Sequence, residues 1–588
     1  MYKSIKPCKL LTDNSDKDKN LFTISLPKEN SATAPDAGDN PKKDEGPVDF
    51  ERAVTLTGYG KFNYLLLLAI IPAGCSSIFA SAPISYILPP AECELGLTLL
   101  DKGLLNSMGF AGMICSTMIG GCLADTLGRK TILVYGYLVD TIINVASSFS
   151  QVSWILLVFK FLNGVVSSGP FAALMSYLAE VHGEQHRSWI YMWLGVVFSI
   201  GNISVPCEFG VCSIILCQLH VPRWYPLSIS GLAWLVIPLN FKWTFLGGYV
   251  VFNSWRLLLL ICCIPELIAC MAFMFFPESP RFLMSKGRQQ EALKVFKSIY
   301  ALNTGNHPDT YPVKSLVDET SIEASGKNFV HMLRCGWRQM KPLFARANLF
   351  RLMLITSIQF GATVGSNSLK LWMPQLFAMI ETYETMHAPI SPSQAHPSVC
   401  HMLDITKHSD RNVTTVITNG TISTIVPVCT EMVLDATVYV NSIIVALTGI
   451  IAYTMAGSLV NAIGRKKLMV FCFVGAGGCC GALYWAQDTN GLLGLSSVFV
   501  ALSSIGGTTV VNVIVDNFPT YLRTMAVGVT LMTGRIGAVF GNVMFPILLE
   551  VGCLGPFIMI GSACIVCAFL TLMLPTSKAI GGKEVISP

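Results

Sequence analysis

One arginine lies in the middle of a long apolar stretch of this chain. Arg535 stands within residues 525–549, twelve residues after Arg523 at the polar end of that stretch. Twelve helical residues rise roughly 18 Å, which is close to the middle of a bilayer. A guanidinium keeps its proton in a protein. We therefore expect Arg535 to face a central cavity or a polar partner, where an anionic or zwitterionic solute would bind.

Two other apolar stretches carry further candidate contacts to such a solute. The candidates are Asn367, Lys370 and Trp372 in residues 349–380, and Trp193, Phe198 and Asn202 in residues 188–205. Their aromatic rings would supply the apolar walls of a binding site. Two alternatives stay open, since Lys370 lies near one end of its stretch and would also reach the membrane interface, and aromatic side chains are common in ordinary packing.

Asp140 and Lys160 are charged residues at equal depth in two neighbouring apolar stretches. Each lies about ten residues from the turn at Ser150 and Gln151, which is roughly 15 Å along a helix. Because an isolated charge at that depth is costly, we expect the two to pair or to share water. The pair is interpreted either as a buried structural salt bridge or as part of a gating or substrate site.

Short glycine-containing turns position these stretches. Gly121, Gly128 and Arg129 recur as Gly457, Gly464 and Arg465, 336 residues later. The pairs Glu180/Arg187 and Asp516/Arg523 are separated by the same 336 residues. Two separate signatures at one offset predict a chain built from two homologous halves. The basic residues of the turns place them on the cytosolic side of a membrane.

These turns resemble the cytoplasmic loop motif of the major facilitator superfamily. The segment Pro277-Glu278-Ser279-Pro280-Arg281 resembles the loop after helix 6 of sugar porters, organic-ion transporters and relatives of synaptic vesicle glycoprotein 2. Residues 60–64, 101–106, 233–238 and 518–523 narrow the resemblance to the last branch. The resemblance implies alternating access between two halves, with a cytosolic gate built from Asp125, Arg129, Glu180, Arg187, Arg465, Asp516 and Arg523.

The expected fold is an all-α membrane protein with twelve transmembrane helices in two pseudo-symmetric six-helix halves. Of the 588 residues, 52% are hydrophobic and only 13% are charged, which excludes an ordinary soluble protein. The expected organisation is a disordered cytosolic tail at residues 1–58, a six-helix bundle at 59–276, a cytosolic loop with short helices at 277–348, a second bundle at 349–575, and a cytosolic tail at 576–588.

Residues 206–230 form an irregular insert in the first bundle. The insert is almost long enough to span a membrane, but one extra span would move the twelve Lys and Arg residues of segment 277–351 to the outer side. That result would violate the positive-inside rule. We therefore expect a re-entrant or luminal excursion, or a splicing artefact, rather than a crossing.

Residues 381–432 form a polar loop on the luminal or extracellular side. It contains two glycosylation sequons, at Asn412 and Asn419. Cys400 and Cys429 lie in the same loop, where an oxidising compartment would favour a disulfide between them.

The combined prediction is a secondary active transporter of a small organic solute. The alternative is a non-transporting vesicle or surface protein that acts as a binding or regulatory factor, which the uncharged first helix and the degenerate motif at Asn461 favour. The sequence shows neither a phosphate-binding loop nor paired catalytic carboxylates, so no enzyme is expected, and no cofactor or metal. Expected partners are the lipid bilayer and the solute, with or without a coupling ion, and no nucleic acid. The expected location is the plasma membrane or a vesicle membrane, with both termini cytosolic.

Overall fold

The computed structural model describes residues 47–204, 233, 236–237, 239, 242–317, 340–386, 398–409, 417–418, 421–422, 436–486 and 489–575; some side chains within these ranges lie outside the description. The first half contains helices α1 (Phe50–Leu56), α2 (Lys61–Phe79), α3 (Pro83–Leu95), α4 (Leu99–Leu127), α5 (Arg129–Ser148), α6 (Ser153–Val181), α7 (Glu184–Ser204), α8 (Ser254–Cys262), α9 (Ile264–Met274), α10 (Pro280–Ser285) and α11 (Gln289–Thr304).

The second half contains helices α12 (Arg346–Met386), α13 (Val399–Ser409), α14 (Ala436–Ile463), α15 (Arg465–Ala482), α16 (Thr489–Asn517), α17 (Thr520–Val551) and α18 (Leu554–Met573). Two antiparallel hairpins complete the described chain, β1 (Lys242–Phe245) with β2 (Val250–Asn253), and β3 (Ile417–Thr418) with β4 (Thr421–Ile422). Short 3₁₀ turns lie at Leu246–Gly248, Pro308–Thr310, Lys341–Phe344 and Leu483–Trp485.

Nine helical segments of the described chain are long and apolar enough to cross a membrane, or ten if the bent helix α4 counts as one span. The chain is therefore a multi-pass membrane protein. Helices α7 and α14 lie where the fifth and eighth spans are expected. The total of twelve spans stays a prediction.

Two expected helices are broken. The first span consists of α2 and α3, which are separated at residues 80–82, with Pro83 at the start of α3. The sixth span is interrupted at Cys263, between α8 and α9, and Pro265 is the second residue of α9. Proline has no backbone N–H to bond the carbonyl four residues earlier, and this explains why such breaks occur where they do.

Three of the apolar clusters of the described chain define the conformation. One cluster belongs to the first half alone, from Phe62 to Ile299, and a second belongs to the second half alone, from Leu343 to Leu574. Both lie toward the membrane face that carries the Gly128 and Gly464 turns, here called the motif face. The third and largest cluster contains residues of both halves and lies toward the opposite face. The two halves are thus joined at the opposite face, while their cores are separate at the motif face.

A small domain on the motif face packs α1 against the loop helices. Its core contains Phe50 of α1, Phe282 of α10 and Phe296 of α11, and the rings of Phe50 and Phe296 lie 5.9 Å apart. Residues 47–58 are therefore structured, although they belong to the stretch 1–58 that was predicted to be disordered.

The β1–β2 hairpin was not predicted from the sequence. It lies on the opposite face, where Gln151 exchanges two hydrogen bonds of 3.1 Å with the backbone of Val251. The irregular insert at residues 206–230 lies outside the described residues.

Candidate functional site at the interface of the two halves

Arg535 lies on α17 at the interface between the halves. Its guanidinium donates to the carbonyl of Met113 at 3.4 Å and to the Thr117 hydroxyl, both on α4 of the first half. The side chain is half-buried and has polar neighbours. A guanidinium carries five N–H donors, so these contacts leave donors for a ligand. Arg535 thus has the polar surroundings that its position in the sequence requires.

Glycines bring α12 close to α17 on the other side of Arg535. A Cβ on Gly534 would lie 3.2 Å from Gln359, and one on Gly537 would lie 2.5 Å from the carbonyl of Phe360. Because the two helices are this close, the Thr363 hydroxyl donates a hydrogen bond to the carbonyl of Gly534 at 2.8 Å. Helix α17 is therefore held between α4 and α12, one helix from each half.

Several buried polar atoms at this interface make no hydrogen bond to the described protein. They are the side-chain amide of Asn106 on α4; the Ser368 hydroxyl, Trp372 Nε1 and Gln375 Oε1 on α12; and Asn542 Oδ1 on α17. All five residues are less than 5% exposed.

The three helices bring these atoms to one level. A Cβ on Gly103, one turn before Asn106, would lie 2.6 Å from the carbonyl of Asn542. The indole of Trp372 stacks on Phe545 of α17, 5.1 Å away. Buried polar atoms are almost always satisfied, so a cluster of unsatisfied ones indicates a place where a polar ligand or water binds. The sequence contained a signal, since Asn106 and Asn542 are amides inside apolar stretches, but it gave no reason to combine them.

The other predicted solute contacts have mixed surroundings. Lys370 is exposed and Asn367 is half-buried on α12. Trp372 is fully buried in the core that joins the halves, and its role as an apolar wall of the site stays a prediction. Trp193 Nε1 donates to the carbonyl of Leu67 at 3.4 Å, and Phe198 packs against Phe171 at 6.0 Å, both within the first half. The side chain of Asn202 lies outside the described residues.

The predicted gate of the first half forms a network around Arg129. Its Nη2 lies 3.0 Å from carboxylate oxygens of both Asp125 and Glu180. Glu180 also accepts from the Ser279 hydroxyl. Glu278 accepts from the backbone N–H of Lys130 at 3.0 Å and so caps α5. The loop after the sixth span therefore fastens onto the glycine turn.

Arg187 does not join Glu180, which corrects the predicted pairing. Its guanidinium pairs with Glu51 of α1 at 2.6 Å, and its Nε donates to the carbonyls of Ala179 and His182. Glu180 is already bonded to Arg129. Sequence patterns gave no sign that α1 would supply the carboxylate.

The second half repeats the geometry of the turn. Gly128 and Gly464 adopt φ of 104° and 88° with ψ of 149° and 147°, and only glycine takes a positive φ freely. Arg523 Nε donates to the carbonyl of Phe518 at 3.1 Å, five residues earlier, as Arg187 does to His182. Arg465 donates to the carbonyl of Asn512 at 3.2 Å. The Asp516 side chain lies outside the described residues.

His182 lies just beyond the end of α6 at the motif face. Its Nδ1 donates to the carbonyl of Leu178 at 2.9 Å, and its Nε2 is buried without a hydrogen-bond partner. Burial is the main cause that lowers the pKa of His182 to about 4; His186 and Arg187 act in the same direction, and the hydrogen bond to Leu178 opposes them. The imidazole is therefore neutral at physiological pH.

Asp140 and Lys160 do not form a direct ion pair, which was one of the two predicted arrangements; the other, a shared water, stays a prediction. Asp140 instead accepts from the Asn163 amide at 2.6 Å, and Lys160 Nζ is buried without a hydrogen-bond partner. Asn163 lies one turn after Lys160 on the same helix, so its short amide reaches the carboxylate.

Charged contacts on the opposite face were also missed. Arg256 of α8 pairs with Glu94 and donates to the carbonyl of Ser150 at 2.8 Å. Lys102 pairs with Glu92 at 2.6 Å. These contacts connect the ends of four spans of the first half.

The predicted disulfide has a different partner. Cys400 of α13 bonds Cys553, which precedes α18, and their Cα atoms are 5.3 Å apart. Cys429 and the sequon residues Asn412 and Asn419 lie outside the described residues. Cys93, on the same face, is also disulfide-bonded.

The comparison with known families decides the assignment. The sequence profile of the Major Facilitator Superfamily matches residues 70–245 and 412–585, and that of the family described as sugar (and other) transporter matches residues 240–391. The chain belongs to the major facilitator superfamily. The superfamily assignment made from the loop motifs is confirmed.

Curated relatives of this superfamily member include three forms of synaptic vesicle glycoprotein 2. Form 2B of Rattus norvegicus is 28% identical over 43% of this chain and 34% of its own length. Form 2C of Mus musculus is 26% identical over 57% of this chain and 45% of its own length. Form 2A of Bos taurus is 27% identical over 46% of this chain and 33% of its own length. The predicted resemblance to this branch is confirmed. The chain aligns with between a third and a half of the length of these relatives.

Solved structures agree on the superfamily fold. The xylose transporter XylE from E. coli matches in a partially occluded inward open conformation with a TM-score of 0.55 and 15% identity, covering 87% of this chain and 98% of XylE. The inward open conformation of XylE matches with a TM-score of 0.56 and 14% identity, covering 88% of this chain and 99% of XylE. At this identity the likeness shows the fold alone.

Proposed function

We propose that the protein is a secondary transporter that carries a small organic solute by alternating access. The observation that carries the proposal is the interface between the halves, which contains Arg535 and, roughly 10 Å or more further along the helices, five residues with buried polar atoms that lack hydrogen-bond partners in the described protein. Arg535 would bind a carboxylate or another anionic group, which guanidinium geometry favours. The amides and the hydroxyl would bind the remaining polar groups of an anion or zwitterion.

The arrangement of the cores supports alternating access. The cluster shared by both halves closes the opposite face, whereas at the motif face each half has a core of its own. A rocking motion would exchange these two arrangements without unfolding either half. This arrangement supports the interpretation of the structure as the state that is open toward the motif face.

We infer that the motif face is cytosolic. The disulfide-bonded Cys93, Cys400 and Cys553 all lie on the opposite face. The free cysteines of the described chain lie within the spans. Disulfides persist in oxidising compartments, so the opposite face would be luminal or extracellular. The predicted positive-inside orientation points the same way.

An uptake screen in liposomes tests the proposal. The full chain is reconstituted and offered labelled carboxylates, amino acids and neutral polyols. We expect saturable uptake of at least one charged class, and a loss of tenfold or more in Arg535→Gln. Arg288→Gln is the matched control, because Arg288 pairs with Glu291 on an exposed helix of the motif face. Uptake that is equal in Arg535→Gln and wild type would overturn the proposed site.

A non-transporting binding factor is the second candidate. It is favoured by the extensive core that joins the halves at the opposite face, which would resist rocking. Saturable solute binding that depends on Arg535, without uptake at any solute gradient, would identify this function instead.

A further inference from the structure

A buried polar cluster lies inside the first half, apart from the interface that holds Arg535. It consists of Asp140 and Asn144 on α5, Lys160 and Asn163 on α6, and Glu266 on α9, each 6% exposed or less. Five such side chains in one apolar bundle are costly to bury unless they form hydrogen bonds or ion pairs with one another.

Each carboxylate accepts from an amide of a neighbouring helix. The Asn163 amide donates to Asp140 at 2.6 Å. The Asn144 amide donates to both oxygens of Glu266, at 3.0 and 3.1 Å. Both amides thus present N–H groups to the cluster, which orients each carboxyl group but contributes no charge.

Lys160 is the basic residue of this cluster in the described chain. Its Nζ is buried, makes no hydrogen bond to the described protein, and interacts electrostatically with both Asp140 and Glu266. No ion pair within 4 Å joins Lys160 to either carboxylate among the described residues. An ammonium has three donors, and none of them is used by a side chain of the described cluster within hydrogen-bond distance.

The break in the sixth span places Glu266 in this cluster. Helix α8 ends at Cys262, and Glu266 lies in the first turn of α9, directly after Pro265. The N-terminus of a helix favours a negative charge nearby. Interrupted spans with charged groups in the membrane are typical of ion sites in transporters.

The charges do not balance if every group is ionised. Two carboxylates and one ammonium leave one net negative charge in a low-dielectric bundle, which costs several kcal/mol. The other titratable groups that face the cluster are the Tyr137 hydroxyl and the thiols of Cys262 and Cys263, which supply no positive charge. One additional proton would make the cluster neutral.

We propose that this cluster is a proton-binding site, in which Asp140 and Glu266 share one exchangeable proton beside Lys160. Uptake of the proton from water converts one carboxylate to a carboxylic acid and changes the cluster from a charge of −1 to neutral. A metal cation is disfavoured, because Lys160 repels it and both amides point their N–H groups inward. The inference needs no transported solute and so does not depend on the proposed function.

Infrared spectroscopy of the purified full chain tests the site directly. A protonated carboxyl group gives a C=O stretching band apart from that of carboxylates, and the band shifts in D₂O. We expect this band in the wild type and its loss at high pH. In Asp140→Asn, and independently in Glu266→Gln, one carboxylate remains with Lys160, so that carboxylate ionises and the band disappears.

Two further variants make the outcome decisive. Lys160→Met removes the cation, so both carboxyl groups become protonated and the band grows about twofold. Asp101→Asn is the matched control, since the Asp101 carboxylate accepts from the backbone N–H of Thr98 at the exposed start of α4, and it leaves the band unchanged. The absence of a band in the wild type would overturn the proposal, as would a band that survives in both Asp140→Asn and Glu266→Gln. If one amide variant fails to fold, the other and Lys160→Met still decide.

Discussion

Individual residues differ in importance even within one network. Arg129 contacts both Asp125 and Glu180, yet the side chain of Asp125 is 71% exposed and that of Glu180 only 8%. An exposed ion pair contributes about 0–1 kcal/mol to stability. Removal of one partner of a buried pair costs about 3–5 kcal/mol, because the remaining charge stays buried.

Glu180→Gln is therefore expected to destabilise the first half far more than Asp125→Asn. The glutamine keeps the shape of the side chain but leaves the guanidinium of Arg129 with the exposed carboxylate alone. The midpoint of thermal unfolding in detergent, followed by intrinsic fluorescence, measures both variants. Equal shifts in the two variants would show that burial does not govern this network.

His182 predicts a pH dependence of stability. Its folded-state pKa of about 4 lies below the unfolded value of about 6.5, so the unfolded chain binds the additional proton. The contribution of His182 to the free energy of unfolding is complete above pH 6.5 and is lost as the pH falls toward 4. Between pH 7 and pH 5 the loss is about 2 kcal/mol. His182→Asn, which retains a side-chain amide donor, should flatten this part of the unfolding profile, whereas His307→Asn, at an exposed site, should not.

Residues with local interactions were predictable from the sequence, whereas residues with partners on distant helices were not. Gly128 and Gly464 were predictable as turn residues because a local backbone conformation demands glycine. The polar surroundings of Arg535 followed from depth along a helix. The partners of Asp140, Arg187 and Cys400 were not predictable, because each is chosen by helices that meet only in the folded bundle. The same reason hid the unsatisfied polar atoms of Asn106 and Asn542.

At the scale of elements, a disulfide fastens the loop helix α13 to the turn before α18. The Cys400–Cys553 bond closes a loop of 153 residues across the second half. Loop-closure entropy in the unfolded chain makes such a bond worth about 2–5 kcal/mol. Helix α13 also packs through Leu403 into the core that joins the halves. The bond therefore supports the closed opposite face.

Cys553→Ser is expected to lower the unfolding midpoint and to expose α13 to proteolysis. Cys400→Ser and the double variant should give the same shift as Cys553→Ser, because one bond is lost in every case. A reductant should lower the midpoint of the wild type more than that of these variants, which lack this bond but keep the disulfide of Cys93. Cys479→Ser, at a free cysteine, is the control. Additive effects of the two serines would argue against the bond.

Helix positions were largely predictable from apolar stretches, and their interruptions were less so. Pro83 and Pro265 lie in stretches that read as continuous spans, and only the folded chain shows that each span breaks there. The hairpin at residues 242–253 escaped prediction because its strands are short and follow an insert with no regular pattern.

At the scale of the whole molecule, closure of the opposite face depends on contacts between the two halves there. Tyr86 of α3 stacks on Tyr439 of α14, with ring centroids 6.3 Å apart. Both rings belong to or pack against the core that joins the halves. Aromatic pairs of this kind contribute about 0.5–1.5 kcal/mol beyond their buried area. This pair is therefore positioned to bias the equilibrium between the two access states.

Accessibility of Thr117→Cys measures that equilibrium, because Thr117 lies beside Arg535 at the interface. In a background where exposed Cys115 is serine, a membrane-impermeant thiol reagent should label this cysteine from the motif face and hardly at all from the opposite face. Tyr86→Ala with Tyr439→Ala should increase labelling from the opposite face about tenfold, as the loss of roughly 1.4 kcal/mol of closure energy requires. Tyr135→Ala, an exposed tyrosine of α5, should change nothing. Equal labelling from both faces without the tyrosine substitutions would mean that the shared core does not seal the opposite face.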